Sequence, residues 1–123
     1  MDTDHDGIYA IADAYLNGVY QGDAIALATL FDPAAQVYGE INGQPYHKPI
    51  AAYLEGVASR QSPQKQGEPY RMKVLAIDSL GSIASVRLHS PMLGFNYQLY
   101  LTVRQIEDKW LIVNKTFSHL AGE

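Results

Sequence analysis

Four histidines, His5, His47, His89 and His119, are the side chains here best suited to exchange a proton near neutral pH. None has a metal-ligand partner at H-x-x-x-H spacing, so no metal site is expected. Ser118 and His119 are neighbours on a strand-like run and therefore point to opposite faces, and no G-x-S-x-G elbow is present, which removes the usual serine nucleophile. Two phenols, Tyr15 and Tyr38, together with His47 and the amide of Asn114, can instead orient a ligand, with Phe31 and Tyr53 adding aromatic lining. A phenol donates to an oxyanion, and an amide offers both a donor and an acceptor to a carbonyl or heteroaromatic edge. None of these is a strong base. The candidates for a base are His47 and Glu40, the latter only if a bulge turns it inward.

Composition narrows the setting. The 123 residues are 47% hydrophobic, which fits one domain with one core spanning 1-123. Lys+Arg 9 against Asp+Glu 13 gives a net charge of -4, a field that repels nucleic-acid phosphates and anionic membranes, so neither partner is expected. With no cysteine there is no disulfide, thiol nucleophile or thiolate metal site. The acidic start MDTDHDGIYA is unlike a secretory signal, and no run approaches the roughly 20 apolar residues of a membrane span. A soluble, cytoplasmic protein is the expectation.

The elements that must position these side chains are legible in outline. Ile8, Ile11, Ala12, Tyr15, Leu16 and Val19 form one stripe of a helix, with Thr3 and Asp6 as a capping pair and Gly22 as its end. Asp23 caps a second helix that carries Ile25, Leu27, Leu30 and Phe31 and stops at Asp32-Pro33. Asn42-Gly43 predicts a tight hairpin, and Pro49 opens a third helix with Ile50, Tyr53, Leu54 and Val57 on its apolar face. After Tyr70 come four strand-like runs, YRMKVLAID, SIASVRLHS, FNYQLYLTVRQI and KWLIVNKTFSHL. Helices followed by strands predict an α+β fold, with three N-terminal helices packed on a curved, mostly antiparallel sheet. Trp110 is expected in the core, its indole reaching a partner at the edge.

The opening YLNGVYQGD, the segment FDPAA and the ending DKWLIVNKTF resemble the NTF2-like superfamily, the cone fold of ketosteroid isomerase and the SnoaL-like cyclases. Within it the resemblance is greatest to the bacterial group labelled putative lumazine-binding, and it extends from about Ile8 to Leu120. Ketosteroid isomerase uses a general-base Asp with a Tyr and a protonated Asp. Aligned by eye, its tyrosine falls on Tyr15, but its base falls on Gly39 and its second acid on Leu101, so an enolising isomerase is not implied. The same alignment implies a concave wall containing Val86, Leu88, Leu99, Leu101, Ile112, Asn114, Thr116 and Ser118, which also obeys period-two alternation. Arg87 and Lys115 then fall on the outer face, with Tyr100 and Phe117.

Two readings follow. In one, the cone binds a small hydrophobic or aromatic molecule through Tyr15, Phe31, Tyr38, His47, Tyr53, Leu101, Asn114 and Ser118, without a cofactor and with no reaction assigned. In the other, the cone is filled and the chain is a non-catalytic homodimeric scaffold. The apolar and aromatic share of the outer face suggests a homodimer in either case.

Overall fold

The computed structural model describes residues 4–120. Helix α1 (His5–Gln21) buries the expected stripe, with Ile8, Ala12 and Val19 fully enclosed. Its start is fixed by Asp4, whose carboxylate accepts from the Gly7 amide at 2.9 Å and from Trp110 Nε1 at 3.1 Å. Trp110 is thus a core residue with its indole nitrogen tied to the rim. Thr3, expected to share in the cap, lies outside the described residues. Gly22 ends α1 in the left-handed region at φ 68°.

Asp23 caps α2 (Ala24–Ala28), accepting from Ala26 N at 3.0 Å. This helix is shorter than its sequence pattern. Phe31 leaves it to begin strand β1 (Phe31–Ile41), because it pairs in parallel with Ile112 and packs its ring edge-on against Tyr15 at 6.2 Å. Tertiary pairing overrides a local helical preference there. Asn42 (φ 50°) and Gly43 (φ 81°) make the tight turn into β2 (Gln44–Pro49), and α3 (Ile50–Ser59) follows, burying Ile50, Tyr53 and Val57. The helices are therefore one long and two short, and although the third follows the first hairpin as its sequence pattern placed it, the three do not form an N-terminal set ahead of the sheet.

Strands β3 (Lys73–Leu80), β4 (Ile83–Met92), β5 (Phe95–Ile106) and β6 (Lys109–His119) complete one six-stranded sheet in the order β2-β1-β6-β5-β4-β3. Only β1 and β6 run parallel. One face carries Val37, Val86, Leu88, Leu101, Val103 and Ile112, all fully buried with α1 in a single core. Among the described residues no helix is long and apolar enough to cross a membrane.

Candidate functional site

A break in alternation on β6 decides which side chains face the concave side. Trp110 and Ile112 point into the core, so strict alternation would carry Asn114, Thr116 and Ser118 inward after them. Pairing with β5 runs Thr102↔Asn114 and then Val103↔Ile112, which leaves Val113 without a partner. This extra residue is a β-bulge, and every later side chain changes face. Lys115 now sits opposite Leu101 and Phe117 opposite Leu99, both inward, whereas Asn114, Thr116 and Ser118 oppose Thr102, Tyr100 and Gln98 on the outer face. Burial agrees: Lys115 is 6% exposed and Thr116 is exposed.

Of the expected ligand-binding residues, Tyr15, Phe31, Tyr53 and Leu101 are buried on the concave side. The other four are corrected. Asn114 and Ser118 are turned outward by the bulge. Tyr38 pairs with Thr116 and shares its outer face, 43% exposed, with the ring of His47 stacked on it at 4.5 Å. His47 Nε2 lies 2.7 Å from Gln36 Oε1. Glu40 is exposed beside Ser118 and does not turn inward. His89 and His119 meet through Asn96 at the end of the sheet, where His89 Nε2 is 2.5 Å from Asn96 Oδ1 and His119 Nδ1 accepts from Asn96 N at 3.0 Å.

Inside the cone is a cavity of about 60 Å³. The buried Tyr15, Tyr53, Ser90, Met92, Leu99, Lys115 and Phe117 line it together with the half-buried Tyr46, Tyr97 and Ile41. Arg60, the residue after α3, reaches in from the side. Gly39 stands where the resemblance to ketosteroid isomerase placed a base, and the Phe117 ring occupies the space a side chain would need: a Cβ at position 39 would lie 2.4 Å from it.

Lys115 Nζ donates to the Tyr53 hydroxyl at 2.9 Å and lies 4.3 Å from the centre of that ring, with Tyr15 and Phe117 each at 5.3 Å. Burial among these rings lowers the affinity of the amine for its proton, partly offset by Tyr53. The Tyr53 phenol is pushed up by burial, but the Lys115 charge and hydrogen bond, with Arg60, outweigh this and hold it below its usual range. Tyr15 is driven well above its usual range by burial and by Tyr53. Two neighbouring phenols with opposite shifts can divide the work: Tyr53 with Lys115 can hold or pass a proton, and Tyr15 remains a donor. Among the described residues no three His, Cys, Asp or Glu side chains converge on a metal position.

The family described as "Putative lumazine-binding" matches residues 3–118. The chain belongs to that family. Solved NTF2-like proteins of unknown function share its fold. One from Shewanella baltica OS155 has a TM-score of 0.84 at 20% identity, covering 98% of this chain and 100% of its own. Another from Methylobacillus flagellatus KT has a TM-score of 0.81 at 23% identity, covering 96% and 93%. A third from Silicibacter pomeroyi DSS-3 has a TM-score of 0.80 at 20% identity, covering 94% of each chain. No curated protein matches. The family assignment therefore gives an NTF2-like α+β fold, while the chemistry of the cavity rests on this chain's own residues.

Lys115, Phe117, Tyr46, Tyr97, Ser90 and Arg60, with the apolar Ile41 and Met92, are the cavity residues that sequence reasoning missed. One signal was present. In KWLIVNKTF the aromatic and apolar positions Trp110 and Ile112 are followed by Phe117, a change of parity that a continuous strand with one buried face does not produce.

Proposed function

We propose that this protein binds a small, largely apolar molecule inside the cone, with the polar edge of that molecule on the polar and basic groups of the lining, Tyr53, Lys115 and Arg60 among them. The observation that carries the reading is the cavity itself. Apolar rings surround it, and a few hydrogen-bonding groups converge at its closed end, the usual make-up of a small-molecule site. Aromatic walls suit a flat ring, and a heteroaromatic ring of the kind in the family's name belongs to this class.

The test is thermal unfolding of the protein against a panel of small aromatic, heteroaromatic and polyketide-like compounds, lumazine and flavins included. A compound present at about 100 times its Kd should stabilise the fold by about 2.7 kcal/mol, a shift of several degrees. If a broad panel shifts nothing, the filled-cone scaffold becomes the better reading. The reading includes self-association through the outer sheet face, supported by Tyr100, 54% exposed, and by the exposed Tyr38. Sedimentation should then find a dimer that Tyr100→Glu dissociates, and a monomeric wild type would remove this part.

A further inference from the structure

Arg60 is not explained by packing. Its Nε and Nη2 are buried without a hydrogen-bond partner, and so is Ser90 Oγ on the wall of the same cavity. Those two nitrogens form the side-on edge of a guanidinium, where two N–H bonds run parallel and match the two oxygens of one carboxylate. Among the described residues lining the cavity there is no Asp or Glu to serve as counter-ion, and Lys115 adds a second basic group to the same space. The charge on Arg60 bears on Tyr15, Tyr46, Tyr53, Tyr97 and Lys115, so it acts across the whole cavity. Buried donors left unmade are costly, and a buried charge without a partner more so. A ligand that supplies the missing acceptors removes that cost.

We infer that the molecule taken into the cone is a small carboxylate, its two oxygens on the Nε and Nη2 edge of Arg60 and its short apolar or aryl tail against Phe117, Tyr46 and Tyr97. Ser90 Oγ is a further donor within the cavity. The space admits only a compact acid: 60 Å³ is about twice a water's share of the liquid, room for the carboxylate end, with the tail lying toward the half-buried Tyr46 and Tyr97. A carboxylate is favoured over a phosphate because two parallel N–H donors match two oxygens of one charge, and the phosphate arm of the experiment below tests that preference.

This inference rests on the cone being a ligand site, and the experiment separates the two. Calorimetric titration of the full chain with benzoate, benzamide and inorganic phosphate is compared between the wild type, Arg60→Gln and Arg60→Lys. Benzoate should bind at least about tenfold more tightly than benzamide, the size expected for hydrogen bonds to a charged group. Arg60→Gln should bring benzoate down to the benzamide level while leaving benzamide unchanged. Arg60→Lys, which keeps the charge but lacks the parallel edge, should also lose most of the preference. The melting temperatures of both variants without ligand check their folding, and removal of an unpartnered buried charge should not lower that of Arg60→Gln. Equal binding of benzoate and benzamide, or a preference that survives Arg60→Gln, overturns the carboxylate and leaves the pocket standing. Phosphate binding without benzoate binding overturns it in favour of a phosphate ester. If none of the three binds, the inference fails, and the wider panel above then decides whether the pocket reading fails with it.

Discussion

The Lys115–Tyr53 contact is asymmetric, and the two single substitutions should reveal it. Tyr53→Phe removes the acceptor of a fully buried amine, leaving its N–H groups with aromatic rings alone. That should cost about 2–3 kcal/mol, the upper part of the range for an orphaned buried polar group because this one carries charge. Lys115→Met acts in opposing ways. It loses contacts with three rings, about 0.5–2 kcal/mol, and leaves the Tyr53 hydroxyl unpartnered, about 1–3 kcal/mol. It also removes the desolvation of an ammonium, several kcal/mol in the other direction, so the net should lie within about 1 kcal/mol of zero. At roughly 3–5 °C per kcal/mol for a domain of this size, Tyr53→Phe should melt roughly 6–15 °C below the wild type and Lys115→Met within roughly 5 °C of it. The double variant should be more stable than Lys115→Met, because it also removes the orphaned Tyr53 hydroxyl, a coupling of at least about 2–3 kcal/mol in a double-mutant cycle. Scanning calorimetry at neutral pH reads all four proteins. A Lys115→Met loss as large as that of Tyr53→Phe would refute the reasoning, because the amine would then be stabilising the fold instead of being tolerated for its position.

The same pair predicts a pH dependence. Lys115 releases its proton at lower pH folded than unfolded, so below its ordinary value of 10.5 the unfolded chain binds more protons and stability rises with pH; Tyr53 acts in the same sense. Burial pushes the Tyr15, Tyr46, Tyr70 and Tyr97 phenols up and opposes this near pH 10, so the pair is read by difference: the wild-type urea midpoint should rise relative to that of Lys115→Met as pH approaches 10, and a constant difference would contradict it. Gly39→Ala drives a methyl group into the Phe117 ring and should cost about 1–3 kcal/mol by overpacking, read as a lower urea midpoint at unchanged slope. Asp4→Ala removes the cap of α1 and the partner of Trp110 together and should cost about 1–2 kcal/mol, whereas a neutral result would mean that the start of α1 adds nothing to the fold.

Local pattern carried much of the fold. The α1 stripe, the Gly22–Asp23 junction, the Asn42–Gly43 turn and the strand content after Tyr70 were all legible, because each depends on residues close together in sequence. Phe31 was misplaced because its partner, Ile112, lies eighty-one positions away by numbering, and that pairing outweighs a helical preference. The site was legible only in part for a related reason. Tyr15 and Tyr53, which line the cavity, sit on helices, and Leu101, buried on the concave side, sits on a strand segment where simple alternation holds. Asn114 and Ser118 lie beyond Val113, where one unpaired residue exchanges inside for outside. Tyr38 and His47 share the outer face for the matching reason, being aligned with the post-bulge part of β6 through β1. Arg60 gave no local signal, since a lone arginine after a helix reads as a solvated end and only the closed fold buries its edge.

The most direct test compares two adjacent positions of β6 that the bulge sends to opposite faces. Thermal-shift measurements with the aromatic panel would use the wild type, Lys115→Met and Asn114→Leu side by side. A compound that stabilises the wild type and Asn114→Leu but not Lys115→Met is the result predicted for a ligand held inside the cone. A shift that survives in Lys115→Met and vanishes in Asn114→Leu would place binding on the outer face and contradict the account.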